Sequence, residues 1–353
     1  MNACDVLVVG LGPAGGSAAR VAAEQGARVV AVDRKREIGV PVQCAEFIPL
    51  PIGRCAAAPG VRVQAIEAMH SVLPSGAALD SGFRGLMVDR ARFDQAFAAA
   101  AAAAGADVRA GTLLLGVDFA ARVARLRGAE GEYSLGFRAI VAADGPHSRV
   151  AVLAGLPALE TVDTRQYAVP LERHSTRTVV WLSDDYPGGY AWLFPRGEVA
   201  NLGLGMDTRF GADMKTPLDR LHAQLAAAGE VGATVLSRTG GAIPVGGLRE
   251  RLVVGDVVFA GDAAGLTHPI TGAGIAPAVV SGELAGAAVA SGRLGEYEEE
   301  IRDQFGVSLA RAVARRRWLA SRWHTSEARR DAMHRHGWIA FHDYMEEDHA
   351  LAA

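Results

Sequence analysis

The stretch that most constrains this chain is Cys4-Asp5-Val6-Leu7-Val8-Val9 followed by Gly10-Leu11-Gly12-Pro13-Ala14-Gly15-Gly16. The apolar run reads as a buried strand, and the Gly-x-Gly-x-x-Gly turn carries the backbone into a small-residue helix, Ser17 to Gln25. A second apolar run, Ala27 to Val32, stops at Asp33. Strand, glycine turn, helix, strand and acid together make the βαβ unit that binds dinucleotides. Gly10 permits the tight turn out of the strand, Gly12 lets bare backbone approach a pyrophosphate, and Gly15 brings helix and strand together. Pro13 and Ala14 complete the turn, and the helix N-terminus behind them offers free N–H groups to phosphate. Asp33 falls where a carboxylate accepts hydrogen bonds from ribose hydroxyls. The unit predicts a site for a ligand with an ADP moiety.

The rest of the composition narrows the class. The 353 residues allow one large domain or two, and half of them are hydrophobic. A formal net charge of −3 gives no reason to expect a nucleic-acid partner. Three cysteines (Cys4, Cys44, Cys55) make no disulfide framework and have no metal-ligand spacing, which predicts a reducing compartment and no metal. No basic region precedes an apolar stretch at the start, and no uncharged apolar run approaches the roughly 18 residues of a membrane span. The expected place is the cytoplasm, with the inner membrane surface as a peripheral site.

Past Asp33 come Arg34-Lys35-Arg36, either solvated surface or a clamp on an adenylate. Proline and glycine then break regular structure, so Pro41-Val42-Gln43-Cys44-Ala45-Glu46 is a loop holding two ionisable groups close together. Its lone cysteine is either a small buried hydrophobe or a reactive thiol. Asp89 is the predicted N-cap of a helix that contains Arg90 and runs to Gly105, with Phe93 and Phe97 on one face. Residues 107–137 read as a β-meander. Ile140-Val141-Ala142-Ala143 is a buried strand ending at Asp144-Gly145, either a plain turn or a ligand-facing pair.

Residues 160–250 change character. Strand-like runs (Thr176 to Leu182, Tyr190 to Phe194, Val199 to Met206) and one helix, Thr216 to Ala228, predict a separate sheet inserted into the first domain. Tyr190, Trp192 and Phe194 alternate onto one face, which is either an aromatic core or the wall of a substrate pocket. The chain returns through an apolar run from Leu252 to Ala260 that ends in Gly261-Asp262-Ala263-Ala264-Gly265. His268-Pro269-Ile270-Thr271-Gly272-Ala273-Gly274-Ile275 then turns into a small-residue helix, a second feature suited to an anion or a carbonyl. The tail from Leu294 is helical, with Arg311, Arg315, Arg316, Arg317, Arg322, Arg329, Arg330 and Arg335 among Trp318, Trp323 and Trp338. It predicts either a solvated arginine face packed on the body or a contact with a protein partner or membrane surface.

Taken together, Gly10 to Asp33, Asp89-Arg90-x-x-Phe93-Asp94, Ala143-Asp144-Gly145 and Gly261 to Gly265 resemble the successive FAD-contacting motifs of glutathione-reductase-type flavoproteins with the p-hydroxybenzoate hydroxylase fold. Within that group, Pro41 to Glu46, Tyr190-x-Trp192-x-Phe194-Pro195 and Pro269 to Ile275 resemble the geranylgeranyl reductase family. The resemblance covers roughly residues 1–290. It implies an α/β chain: a Rossmann-type FAD-binding domain (1–65, 85–158, 251–292), an inserted mixed or antiparallel substrate domain (66–84, 159–250) and a C-terminal helical segment (293–353). It also implies roles. Gly10, Gly12, Pro13, Ala14, Gly15, Asp33 and Arg34 hold the ADP half of FAD. Arg90, Gly261 and Asp262 serve the pyrophosphate and ribityl region, and Asp144 and Gly145 line the groove. Gly272, Ala273, Gly274 and Ile275 give backbone to the isoalloxazine ring. Cys44 and Ala45 lie near the flavin, Cys44, Glu46 and His268 are the catalytic candidates, and Tyr190, Trp192, Phe194 and Pro269 wall the substrate pocket.

The leading expectation is an FAD-dependent oxidoreductase that reduces C=C bonds of an isoprenoid or other small hydrophobic substrate, taking electrons from NADPH, NADH or a reduced protein. Two alternatives keep the fold. One is a monooxygenase hydroxylating a small aromatic molecule or a partner protein's side chain. The other is an electron-transfer flavoprotein that docks a partner on the arginine-rich tail.

Overall fold

The computed structural model describes residues 2–211 and 213–346; the last seven residues of the expected C-terminal segment, 347–353, lie outside the described residues. At the centre is a six-stranded sheet ordered Val253–Val254, Val257–Phe259, Ala139–Ala142, Val6–Val9, Val29–Asp33, Asp107–Ala110. All pairings are parallel except the edge hairpin of 253–254 with 257–258. The inner strands are valine-rich and buried throughout, as a parallel sheet covered on both faces requires. Two expectations change here. The run from Leu252 is not one strand: the chain reverses at Gly255, whose φ is +57°. Asp107–Ala110 leaves the meander and pairs in parallel with Val29–Asp33. The meander proper is Leu113–Asp118, Val123–Gly128 and Gly131–Gly136, which Asn2–Ala3 joins.

Helix α1 (Pro13–Glu24) starts at Pro13 rather than Ser17, because a proline in the first turn gives up an N–H that has no helical partner anyway. Helix α2 (Arg90–Ala103) opens as expected, with the Asp89 carboxylate accepting from Arg92 N at 3.0 Å. After the short α3 (Arg149–Leu153) and α4 (Lys215–Ala227), α5 (Ile275–Ser291) lies against α1. Their contact is backbone on backbone. A Cβ at Gly282 would stand 2.2 Å from the Ala14 carbonyl oxygen, and one at Gly286 2.5 Å from that of Ala18. Small residues along both helices exist to permit this approach.

The second sheet is mixed. Its order is Ser237–Thr239, Thr161–Pro170, Val199–Met206, Tyr190–Arg196, Arg177–Trp181, Ala68–Val72, Ala78–Ser81, with Ala242–Pro244 also paired to Thr161–Pro170. One face packs Ala191, Leu193, Leu202 and Leu204 under Leu218 and Leu221 of α4. The opposite face carries Tyr190, Trp192 and Phe194. A third sheet joins Phe47–Pro49, Gly85–Val88 and Arg62–Ile66 just beyond the Cys44 loop. The chain closes with α6 (Leu294–Arg322) and α7 (Asp331–Gly337). Among the described residues no helix is long and apolar enough to cross a membrane.

Candidate active site

The turn between Val6–Val9 and α1 offers only backbone. Gly10 has φ +95°, and a Cβ there would press to 2.3 Å of the Ala143 carbonyl oxygen. At Gly15 the same atom would lie 1.7 Å from the Gly10 oxygen. Gly12 is different: a Cβ there meets nothing within 4 Å, and Gly12 caps α1 with no side-chain hydrogen bond. The first N–H groups of α1 thus receive no side-chain cap from Gly12. Asp33 sits beside this turn, its two oxygens accepting Leu11 N and Lys35 N at 2.8 Å each. Arg34 is exposed. Ala14 and Gly261 pack on one another, a Cβ at Gly261 coming to 3.0 Å of Ala14 Cβ, so both serve close packing.

Two acids close the groove. Asp144 Oδ2 accepts from Val150 N at 3.1 Å, while Oδ1 is buried with no hydrogen-bond partner in the protein. Burial pushes its carboxyl above the usual range. Gly145 next to it has φ +85° and open space where a Cβ would be. Asp262 Oδ1 accepts the Thr267 hydroxyl at 2.6 Å, and burial raises this carboxyl too. Helix α5 begins at Gly274, again without a side-chain cap. Two uncapped helix N-termini, an open glycine and an orphaned buried carboxylate oxygen suit a phosphate-bearing dinucleotide with hydroxyl groups to donate. The residues fit FAD.

The Cys44 loop enters from the other side. Its sulfur accepts from Glu46 N at 3.2 Å and lies against the Arg90 guanidinium. Burial pushes the thiol pKa up, against the pull of Arg90, so the thiol keeps its proton near neutral pH. Arg90 itself is fixed by both oxygens of Asp94 at 3.0 and 3.1 Å. Glu46 has φ +68°, a left-handed conformation that a side chain resists. Its buried carboxylate holds it there, accepting from Arg90 N at 3.0 Å and Asn201 Nδ2 at 2.9 Å and pairing with Arg196 Nε at 3.2 Å. With three donors engaged, Glu46 anchors the loop.

The third segment is the turn 268–273, closed by His268 N to Ala273 O at 3.1 Å and Gly272 N to His268 O at 2.9 Å. His268 Nδ1 accepts from Thr271 N at 3.3 Å, which puts the proton of the neutral ring on Nε2. Burial lowers the His268 pKa to about 4. Pro269 is buried beneath the turn. The Tyr190 hydroxyl donates to Thr271 O at 2.5 Å, and burial raises that phenol above its usual range. The aromatic face therefore reaches the turn through Tyr190. It reaches the Cys44 loop through Trp192 by way of Gln166, whose Oε1 accepts from Trp192 Nε1 and whose Nε2 donates to Cys44 O, each at 3.1 Å. Phe194 contacts Phe47 edge-on at 6.1 Å, three residues past Cys44.

The tail caps one end of that face. The Trp338 ring meets Tyr190 at 4.8 Å and its Nε1 donates to Ser71 Oγ at 3.0 Å. A small cavity remains between the sheet and α6, bounded by Tyr190, Ile270, Phe210, Leu319, Trp323 and Trp338. The expected solvated arginine face is only partly so. Arg315 is buried, with Nη2 on Tyr344 O, and Arg316 turns inward to Gly188 O at 2.8 Å and Asp207 Oδ2 at 3.3 Å. Arg311, Arg317, Arg329, Arg330 and Arg335 stay exposed.

Known proteins converge on the same reading. Residues 162–242 match the family model described as geranylgeranyl reductase catalytic domain. A digeranylgeranylglycerophospholipid reductase of Methanopyrus kandleri is 35% identical, covering 88% of this chain and 89% of its own. One from Methanosarcina acetivorans is 31% identical over 91% of this chain and 81% of its own. The chain belongs to the geranylgeranyl reductase family. Family members are flavin-dependent oxidoreductases. The crystal structure of a geranylgeranyl bacteriochlorophyll reductase-like protein from Thermoplasma acidophilum superposes with a TM-score of 0.86 at 27% identity, covering 97% of this chain and 93% of that one. A myxobacterial chondrochloren halogenase gives a TM-score of 0.67 at 18% identity and shares the fold alone.

Gln166 and Asn201, which hold the Cys44 loop, were absent from every motif read in the sequence. A buried amide within a strand carries no local signature, and the loop groups these two amides hold lie more than a hundred positions away.

Proposed function

We propose that this chain reduces C=C bonds in the prenyl chain of an isoprenoid lipid. The observation that carries the reading is the meeting of three distant segments: Tyr190 of the aromatic face hydrogen-bonds the 268–275 turn directly, and Gln166 bridges Trp192 of that face to the Cys44 loop. When bound and reduced, FAD supplies the hydride. Gly10, Gly12, Gly15 and Asp33 hold its ADP half, with Pro13 and Ala14 shaping the turn and Arg34 at its exposed rim. Arg90, Asp144, Gly145, Gly261 and Asp262 line the middle of the groove. Gly272, Ala273, Gly274 and Ile275 present backbone to the redox ring. Tyr190, Trp192, Phe194 and Pro269 exclude water and hold the prenyl chain flat against that site.

Cys44 is the proton donor. A neutral thiol, kept so by burial, protonates the carbon next to the one that receives hydride. Glu46 keeps the thiol in place, and His268 acts as a neutral hydrogen-bonding ring. The electrons come from a reduced nicotinamide or a reduced protein, and the lipid is met at a membrane surface.

The test is reconstitution with FAD, anaerobic reduction by dithionite and addition of geranylgeranyl lipids, with saturation followed by mass spectrometry. Gain of H₂ per double bond is the expected product. Oxygen incorporation under air, with no saturation under nitrogen, overturns the reading in favour of a monooxygenase. Cys44→Ala is expected to keep its FAD and lose turnover; full turnover in that variant removes Cys44 from the chemistry.

A further inference from the structure

Two buried amides of the second sheet reach the Cys44 loop. Gln166 Nε2 donates to the Cys44 carbonyl at 3.1 Å, and its Oε1 accepts the indole N–H of Trp192 at 3.1 Å. The partners fix the amide's orientation, since an indole N–H only donates and a carbonyl only accepts. Asn201 Nδ2 donates to Ala45 O at 3.2 Å and to Glu46 Oε2 at 2.9 Å. On the flank, Thr239 Oγ1 donates to Val42 O at 2.8 Å, and Gln43 Nε2 reaches Gly240 O at 2.6 Å. The loop that carries the thiol is thus sewn to the sheet that carries the aromatic face.

We propose that Gln166 is a positioning residue of this enzyme, coupling the Trp192 ring to the Cys44 backbone so that thiol and aromatic face keep one registration toward the substrate. Among the described residues the Cys44 carbonyl and the Trp192 indole have no other hydrogen-bond partner. An apolar residue at 166 leaves the buried Trp192 indole and the half-buried Cys44 carbonyl unpaired, and a buried group left so costs about 1–3 kcal/mol, so neither end keeps its position unaided. Gln166 is buried, which shuts out water as a substitute. Asn201 and Thr239 hold the neighbouring carbonyls but make no side-chain hydrogen bond to the aromatic face, although Asn201 lies opposite Phe194 in the sheet. Among these links Gln166 alone joins the two by side-chain hydrogen bonds.

The inference rests on Cys44 serving as the proton donor, and its test reads the thiol directly. Alkylation of Cys44 by iodoacetamide is followed against pH by peptide mass spectrometry in the FAD-loaded protein. Gln166→Leu is expected to change the alkylation rate about tenfold and to move its pH midpoint. In the same variant kcat falls about tenfold while KM stays within about twofold, and FAD content is unchanged. Trp192→Phe removes only the outer bond and keeps Gln166 on Cys44. It is expected to move the thiol in the same direction by a smaller factor, and it serves where Gln166→Leu fails to fold. Wild-type alkylation in either variant overturns the coupling. A Cys44→Ala enzyme with full turnover, beside a Gln166→Leu enzyme with an altered thiol, removes the proton-donor role and leaves the coupling standing.

Discussion

At Gly10 and Gly15 the chain is bare backbone, and the neighbouring atoms leave no room for more. From Cys44 to Glu46 it is held by side chains that arrive from 122 and 155 positions away. The glycine turn is thus intolerant of an added atom at Gly10 and Gly15, and the Cys44 loop is intolerant of a lost hydrogen bond. The first is a steric device that a short sequence encodes by itself. The second is a polar network that exists only once both sheets are in place, and in the interior such networks matter as a whole rather than bond by bond.

Gly15→Ala presses hardest on the steric side. Its Cβ would sit 1.7 Å from the Gly10 oxygen and 2.8 Å from the Gly10 carbonyl carbon, and both are backbone that has nowhere to go. The expected outcome is loss of about 3 kcal/mol or more and no retained FAD, read from thermal unfolding and flavin content. Wild-type melting with full FAD would mean that α1 does not pack as closely as described. On the polar side the matching change is Glu46→Ala. It leaves Arg196, Asn201 Nδ2 and Arg90 N without their carboxylate and is expected to cost about 3 kcal/mol. Glu46→Gly loses the same bonds but relieves the left-handed backbone, so it should be milder than Ala by about 1 kcal/mol. Equal losses in the two variants would show that the strain at φ +68° is negligible.

His268 gives the comparison a pH axis. Its folded-state pKa is lowered to about 4 by burial, below the ordinary 6.5. Below pH 6.5 the unfolded chain takes up a proton that the folded chain refuses, so this contribution to stability is complete above pH 6.5 and is lost as pH falls toward 4. Between pH 7 and pH 5 the loss from this group is about 2 kcal/mol. Buried His334, also lowered, adds in the same direction, so the measurement is the difference in urea stability between wild type and His268→Gln at the two pH values. A wild-type slope in His268→Gln would mean that the ring is as wet as any surface histidine.

Legibility in the sequence follows the same division. The glycine turn, Asp89 at its cap and the alternation of Tyr190, Trp192 and Phe194 are local patterns, and each stands in the structure where spacing placed it. The strand Asp107–Ala110 reads as part of the meander because a short half-exposed run does not reveal which sheet edge it joins. The reversal at Gly255 was missed because valines on either side of a turn read as one apolar run. Arg315 and Arg316 looked like solvated surface because the carbonyls and the carboxylate that receive them lie in Tyr344, Gly188 and Asp207. The anchoring role of Glu46 depends on Asn201 and Arg196, and nothing near position 46 announces them.

The finest distinction lies within the glycine turn itself. Gly12 has φ −73° and ψ −169°, which alanine adopts without strain, and its Cβ would touch nothing in the protein. Gly12→Ala should therefore melt within about 0.5 kcal/mol of wild type, unlike Gly15→Ala three positions on. The methyl group instead enters the space in front of the α1 N–H groups, where a pyrophosphate needs bare backbone. FAD affinity is expected to weaken about tenfold, or 1.4 kcal/mol, measured by flavin fluorescence on titrating the apoprotein. If affinity holds while stability also holds, the phosphates do not sit over Gly12, and the anion site belongs to the α5 N-terminus at Gly274 instead. If stability falls with affinity, Gly12 is a packing glycine like Gly15 and the two sides of the turn are alike.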